Sequence, residues 1–244
     1  MNAIMAIYRR ELLGYFSTPL AGVFVVIFLV MVSAFTFYLG NFFQTGQADL
    51  QAFFMFHPWM YLLLVPALAM RLWAEERKSG SIELLLTLPI TVWQAVLGKY
   101  LAAWTLIALA LLLTFPMWIT VAWLGDPDNG VIMASYIGSW LLAGSFLAIG
   151  SAVSATTQSQ VMAFIVSLSV CLLFLLAGYP IVLSAIQTIF HQSTVDAIAD
   201  LSFFTHFSSI TRGILDLRDL AFFVINGICW LIATVLIINL KKAG

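Results

Sequence analysis

Charged residues are scarce in this sequence of 244 residues. Asp, Glu, Lys and Arg make up 9 % of it and hydrophobic residues 63 %, whereas soluble domains contain about 25 % charged and about 45–50 % apolar residues. The net charge is −1 at pH 7, and no basic patch is present to neutralise phosphates, which argues against a nucleic-acid partner. The composition predicts an all-α, polytopic protein embedded in a lipid bilayer.

Motifs for catalysis are also absent. The one Gly-Lys pair, at 98–99, has Trp93 where a P-loop carries its first glycine and Tyr100 where the loop needs Ser or Thr. The two cysteines, Cys171 and Cys229, lie in separate apolar segments, so we expect them to be small core residues rather than a disulfide or metal pair. We therefore expect no enzymatic activity and no metal or cofactor bound by this chain.

Polar side chains are rare inside the apolar segments. None of these segments contains a histidine or an acidic residue, which argues against an intramembrane protease and against a proton relay. Asn226 is the one strongly polar side chain at depth. An interhelical hydrogen bond is a commoner role for such a residue than a substrate contact, and both stay open.

Six apolar segments predict six membrane crossings within a single transmembrane domain, at residues 20–39, 58–74, 97–124, 131–155, 161–182 and 220–240. Pro66 is expected to kink the second crossing. Residues 1–16 are too short and too charged to cross. Apolar positions at helical spacing predict an interfacial helix there, with Arg9, Arg10 and Glu11 on it, although an ordinary charged flank of the first span is the alternative.

The distribution of Lys and Arg predicts the orientation. Six crossings place both termini and the loop after the second span on one side, together with eight of the ten basic residues. We expect that side to be cytoplasmic, in a multi-pass protein of a bacterial inner membrane. In the fourth span, small residues recur on one helical face and predict close approach of another helix: Gly144, Ala148, Ala152 and Ala155.

The stretch from Arg71 to Lys99 holds seven of the 21 charged residues. Within it, Ser79-Gly80-Ser81 predicts a helix break, and Pro89 predicts the end of a new helix over Gly80–Leu88. Two helical turns are not stable alone in water, so this helix must pack on the chain's own helices or on a partner. The candidate contact residues in the loop at 75–90 are Glu75, Glu76, Arg77, Lys78, Gly80, Ser81, Glu83, Leu84, Leu85, Leu86, Leu88 and Pro89.

Two motifs resemble a known family. The run W-A-E-E-R-K-S-G-S-I-E-L-L-L-T-L-P-I-T, followed by V-L-G-K, resembles the cytoplasmic loop of ABC-2-type transporter permeases. The run F-F-T-H-F-S-S-I-T-R-G-I-L-D-L-R-D-L at 203–220 is similar to the branch with gliding-motility permeases and the permease for copper maturation of nitrous-oxide reductase.

The resemblance implies a type V exporter-like architecture, in which two permease copies, here expected as a homodimer, bind two ATP-binding cassette subunits that hold ATP and Mg²⁺. The helix at Gly80–Leu88 would be the coupling helix. Residues 184–219 would form an outer re-entrant segment that acts as a gate or binds a periplasmic partner, and its candidate residues are Phe207, Arg212, Gly213, Asp216, Arg218 and Asp219. For the charged members, a solvated loop face is the alternative.

The resemblance implies export or flipping of a substrate, driven by a separate ATPase. The alternative is mechanical transmission of ATPase motion to a periplasmic protein without movement of a solute. A membrane scaffold unrelated to ATPases is a third option, against which the central motif argues.

Overall fold

The structure, a computed structural model, describes residues 3–87, 89–188, 191–214 and 216–242. Within these ranges all regular structure is helical, which confirms the all-α prediction. The first helices are α1 (Ala3–Ser17), α2 (Leu20–Ala34, continued by a π-helix at Phe35–Leu39), α3 (Phe42–Thr45), α4 (Gln51–Met55), α5 (His57–Ala69), α6 (Arg71–Ser79) and α7 (Ser81–Thr87). The others are α8 (Val92–Leu112), α9 (Phe115–Leu124), α10 (Asn129–Thr156), α11 (Gln160–Leu176), α12 (Pro180–Gln187), α13 (Gln192–Ala199), α14 (Phe203–Thr211) and α15 (Leu217–Lys242).

Among the described residues, four helical segments are long and apolar enough to cross a membrane: Leu20–Gln44, Val92–Leu124, Asn129–Thr156 and Leu217–Lys241. A fifth arises if α11 and α12, which are bent by 70°, count as one span. By length and composition, the described helices therefore account for four or five membrane crossings, not for the six predicted.

The predicted second span, 58–74, is divided at Met70. Helix α5 has 13 residues and runs through Pro66 without ending there, so it is about 20 Å long, short of the ~30 Å hydrocarbon core. The following helix, α6, begins at Arg71 and carries most of the loop's charge. The break at Met70, rather than the proline, separates the apolar part from the charged part.

The predicted fifth span, 161–182, also ends early. Helix α11 stops at Leu176, and Tyr179 takes an extended conformation before Pro180 opens α12. A residue before proline avoids the helical region, and proline favours the first turn of a helix. The sequence 178–180 thus redirects the chain by 70°.

Helix α10 is the centre of the fold, and 72 % of its most apolar stretch of 18 residues is buried. Glycines allow other helices to approach it closely, because an added Cβ would lie 2.4 Å from Ala69 Cβ at Gly150 and 2.8 Å from the Ile210 side chain at Gly138. The four small residues noted in the sequence are all buried. Gly144 lies beneath Trp104 and Tyr100 of α8, with an added Cβ 2.8 and 2.9 Å from them, and Ala148, Ala152 and Ala155 are 0–1 % exposed.

Two polar or small residues of the spans differ from expectation. The Oδ1 atom of Asn226 is buried and has no hydrogen-bond partner among the described residues, so that oxygen does not form the expected interhelical bond within the protomer. Cys171 is buried, as expected, but Cys229 is exposed because it lies on the outward face of α15.

Candidate functional site

The break between α6 and α7 lies where the sequence predicts it. Gly80 has φ 71°, a left-handed conformation that glycine adopts at little cost, and it ends α6. The next helix, α7, starts at Ser81 and carries Glu83 in its first turn, where a carboxylate suits the positive end of the helix. Leu88 and the side chains of Leu84, Leu85 and Leu86 lie outside the described part of the structure.

The connection from α7 to α8 is also set by local sequence. Pro89 is exposed in a bend after α7. Thr91 then caps α8 with a reciprocal pair of hydrogen bonds, in which the Gln94 amide N–H donates to Thr91 Oγ1 at 3.3 Å and the Thr91 amide N–H donates to Gln94 Oε1 at 3.0 Å. The helix–break–helix element formed by α6 and α7 is therefore bounded at both ends by defined backbone geometry.

Helix α6 is fastened to α10 by serine side chains. Ser154 Oγ accepts the backbone N–H groups of Trp73 (3.1 Å) and Ala74 (3.0 Å) and donates to the Met70 carbonyl at 3.0 Å. The indole Nε1 of Trp73 donates to Ser151 Oγ at 3.1 Å. A new helix after a break has free N–H groups in its first turn, and here α10 supplies their acceptor. No local sequence pattern predicts this role for Ser151 and Ser154.

The C-terminal end of α10 receives two cationic side chains. Arg77 Nη1 donates to the Ala155 carbonyl at 3.0 Å, and Lys241 Nζ from α15 donates to the Thr156 carbonyl. The last carbonyls of a helix lack intrahelical partners and carry partial negative charge, so these cations stabilise that end. Arg77, predicted to face a partner, is thus bound to its own chain.

A buried lysine joins three helices that are distant in sequence. Lys99 of α8 is 3 % exposed, and its Nζ lies 2.8 Å from Glu76 Oε1 of α6 and 3.1 Å from Glu11 Oε1 of α1. The same Nζ lies 5.4 Å from the ring centroid of Trp73. Arg10 pairs with Glu11 at 2.6 Å and approaches Glu76 at 3.7 Å. We call these residues the Lys99 cluster.

The Lys99 cluster holds Glu11 in its charged form. Burial by itself would raise the pKa of the Glu11 carboxyl, but the Lys99 ammonium and the hydrogen bond from Arg10 outweigh it and leave that pKa below its ordinary value. Outside the cluster, the hydrogen bond from Arg71 lowers the pKa of Glu75. Glu11 and Arg10 were predicted on the interfacial helix, whereas Lys99 was noted only as the end of the charged stretch.

The predicted contact residues divide into two groups by orientation. Glu76 and Arg77 turn inward to the Lys99 cluster and to α10, and Ser81 is half-buried. The exposed members are Glu75, Lys78, Gly80, Glu83 and Pro89. Arg9 on α1 is exposed as well. The element thus has one face bound to its own chain and one face free.

The predicted outer segment folds as three short helices, α12 to α14, followed by the start of α15. His206 of α14 is buried, with Nδ1 2.6 Å from Asp219 Oδ1 and Nε2 2.9 Å from the Asp200 carbonyl. The Phe222 ring stacks on it with centroids 4.0 Å apart. Arg218 donates to Asp200 Oδ2 at 2.6 Å. We call His206, Asp219, Asp200 and Arg218 the His206 cluster.

The outer residues chosen from the sequence do not form one unit. Phe207 is buried, and Gly213 takes a left-handed φ of 84° after α14. Asp216 Oδ1 accepts the Arg218 amide N–H at 3.0 Å at the start of α15. Arg212 is exposed and lines a separate cavity of about 350 Å³. His206 and Asp200 lay within the predicted segment but were not singled out.

These features define a polytopic helical membrane protein with a helix–break–helix element, α6 and α7. One face of that element is bonded to the protein's own helices, and the other face is exposed. The sequence profile of the ABC-2 family transporter proteins matches residues 5–238, nearly the whole chain, and the chain belongs to that family. It is therefore a transmembrane transport component rather than an ATPase. A search of curated proteins found no match.

Proposed function

We propose that this chain is the permease subunit of an ATP-binding cassette transporter and that a separate ATPase docks on α7 and on the exposed face of α6. The observation that carries the proposal is the two-sided construction of α6. Its inner face is bound to α10 through Trp73, Ala74 and Arg77, while Glu75 and Lys78 are exposed. A contact made on the exposed face acts directly on the central helix.

The bonded network offers a route for coupling. A displacement of α7 moves α6, because a single residue, Gly80, separates them. Helix α6 transmits that displacement to α10 through Ser154, and to α8 and α1 through Lys99. The proposal assigns ATP and Mg²⁺ to the ATPase, with two ATPase copies and two permease copies in the complex, and it leaves the substrate of export or flipping unspecified.

The docking proposal is tested by charge reversal on the exposed face. The full chain is purified with the ATP-binding subunit that co-purifies with it, and ATP turnover is measured in nanodiscs. Glu83→Lys is expected to reduce both co-purification and stimulated ATP turnover at least tenfold, whereas Asp196→Lys, the same change on exposed α13, is expected to reduce neither. Wild-type values for Glu83→Lys, or no ATP-binding subunit in the preparation, would exclude the docking assignment.

The same proposal includes the six-crossing topology with cytoplasmic termini, in which residues 58–74 make the second crossing. It is supported by the Lys/Arg asymmetry of the sequence. Cysteine placed at Lys78 is expected to react with a membrane-impermeant reagent only from inside, and cysteine placed at Asp196 only from outside. Reaction of both from one side would contradict it.

Mechanical transmission to a periplasmic protein is the second candidate function, and it rests on the order of the outer segment. Helix α14 packs on α10, where Gly138 allows close approach of Ile210, and the His206 cluster ties α14 to α15. Motion of α10 would therefore reach a folded body rather than a free loop. The resemblance of 203–220 to the gliding-motility and copper-maturation branch favours this candidate.

Two measurements separate the candidates. Crosslinking from cysteine at Arg212 should capture one periplasmic protein under transmission, and that capture should depend on ATP hydrolysis by the complex. Under export, reconstituted vesicles should instead move an amphipathic substrate in an ATP-dependent manner, with no periplasmic protein required.

A further inference from the structure

A cleft between α1 and α6 adjoins the proposed docking surface and shares Glu75 with it. It has a volume of about 590 Å³ and is lined by α1, by the first residue of α2 and by α6 and Ser81. Its apolar floor includes Leu20, where the apolar segment Leu20–Gln44 begins, and buried Leu72. The cleft therefore lies at the end of a membrane-spanning segment and combines an apolar floor with a charged rim.

The rim carries both signs of charge. Arg10 and Arg71 come from different helices, and the carboxylates of Glu11, Glu75 and Glu76 face the same space. Each arginine already has a carboxylate partner in the chain, at 2.6 Å for Arg10–Glu11 and 2.7 Å for Arg71–Glu75. A simple anion would have to compete with those carboxylates, whereas a zwitterion can satisfy both signs at once.

Two further residues bear on hydrogen bonding in the rim. Glu76 Oε2 is buried and has no hydrogen-bond partner among the described residues, although a buried carboxylate oxygen is normally paired. Tyr15 of α1 lines the same space. Glu76 Oε2 can therefore accept a further hydrogen bond, besides the contacts that Oε1 makes with Lys99 and Arg10.

We propose that the α1–α6 cleft binds one phospholipid with a zwitterionic headgroup and a primary ammonium, as in phosphatidylethanolamine. Its phosphate would contact Arg10 and Arg71, since guanidinium groups bind phosphate oxygens in a bidentate manner. Its ammonium would donate to Glu75 and Glu76, and its glycerol and first acyl carbons would lie on Leu20 and Leu72. This proposal does not depend on the ATPase docking proposal.

The ammonium gives the site its selectivity. A primary ammonium has three N–H donors for the carboxylates, whereas a choline headgroup has none and a glycerol headgroup has no positive charge. We expect phosphatidylethanolamine to be retained in preference to both.

The experiment counts retained lipids. The full chain is reconstituted in nanodiscs with equal parts of phosphatidylethanolamine, phosphatidylcholine and phosphatidylglycerol, transferred to mild detergent and measured by native mass spectrometry. One phosphatidylethanolamine per protomer is expected. Arg71→Gln should weaken its retention on the order of tenfold, the effect of losing one charged hydrogen-bond group. Arg9→Gln removes the same charge from α1 outside the cleft and should change nothing.

A steric variant tests the same site without changing any charge. Gly14 lines the cleft, and a Cβ added there meets nothing within 4 Å, so Gly14→Leu should fill the space without a clash and abolish retention. Gly22→Leu is the matched control, because Gly22 is also open, lies in a helix and does not line the cleft.

Three results would overturn the proposal. Equal retention of the three lipids would exclude recognition of the ammonium. Equal loss in Arg9→Gln and Arg71→Gln would indicate non-specific attraction to a positive surface. Saturable binding of soluble glycerophosphoethanolamine with the affinity of the lipid would assign the cleft to an aqueous ligand instead. A thermal melt followed by tryptophan fluorescence verifies that each variant is folded.

Discussion

The Lys99 cluster and the His206 cluster use charge in different ways. In the first, one buried ammonium is shared by carboxylates from α1 and α6, so three helices that are distant in sequence meet at Nζ. In the second, every member comes from the short stretch 200–219. The first cluster is a joint between distant elements, and the second is a clasp within one segment and the start of the following helix.

The bonds that hold the two clusters differ as well. A carbonyl oxygen can only accept, so His206 Nε2 donates to the Asp200 carbonyl, and a hydrogen bond of 2.6 Å joins Nδ1 to Asp219 Oδ1. In the Lys99 cluster, one Nζ donates to two carboxylates. The joint is therefore maintained by ion pairs between distant helices, and the clasp by the two hydrogen bonds of one buried imidazole.

Loss of the Lys99 charge is expected to have the largest effect. Lys99→Met leaves the largely buried Glu11 and Glu76 with exposed Arg10 as their remaining cation in the cluster. Breaking a buried pair costs about 3–5 kcal/mol. A fall of that size in stability is expected in detergent unfolding followed by tryptophan fluorescence. Lys78→Met removes an exposed lysine of α6 and should change stability by no more than about 0.5 kcal/mol.

A triple variant sharpens this expectation. Lys99→Met combined with Glu11→Gln and Glu76→Gln removes the uncompensated charge, and most of the lost stability should return. If the triple variant were as unstable as Lys99→Met alone, packing of the lysine stem rather than its charge would hold the joint.

The second prediction concerns the clasp. Asp219→Ala leaves the buried His206 Nδ1 without a partner, and the loss of a charged hydrogen bond costs about 1.5–3 kcal/mol. Because the four residues of the His206 cluster all lie within 200–219, we expect faster hydrogen exchange in α14 and the start of α15 rather than global unfolding. Asp219→Asn should give an intermediate result, and Asp196→Ala on exposed α13 should match the wild type. Uniformly faster exchange in all helices would show that the clasp, too, is a joint of the whole fold.

The sequence could predict local elements but not these contacts. The all-α class and the break at Gly80 depend on composition and on neighbouring residues, and the structure has both. The break at Met70 has neither glycine nor proline at its position, and its free N–H groups are satisfied by Ser154, which lies far along the chain. The partners of Lys99 are hidden for the same reason, since no local pattern brings α1, α6 and α8 together.

The third prediction uses the pKa of Glu11. That pKa is below its ordinary value in the folded protein, so Glu11 contributes stability that is present above about pH 4.3, the ordinary glutamate pKa, and is lost as the pH falls through the lower folded value. Thermal melts between pH 3 and 7 should show this loss in the wild type, and Glu11→Gln should flatten that part of the profile. Glu83→Gln, an exposed control, should retain it. Equal profiles for Glu11→Gln and the wild type would contradict the assignment.

The smallest effect is expected at Arg218, the sequence neighbour of Asp219. The side chains of Arg218 and Asp200 are 69 % and 54 % exposed, and exposed ion pairs contribute about 0–1 kcal/mol because water and salt screen them. Arg218→Gln should therefore leave hydrogen exchange in α14 nearly unchanged, and 0.5 M salt should remove the remaining difference. The side chain of Asp219, by contrast, is only 10 % exposed. If Arg218→Gln had the effect of Asp219→Ala, the four residues would act as a single unit, and the clasp would depend on the outermost ion pair rather than on the buried histidine.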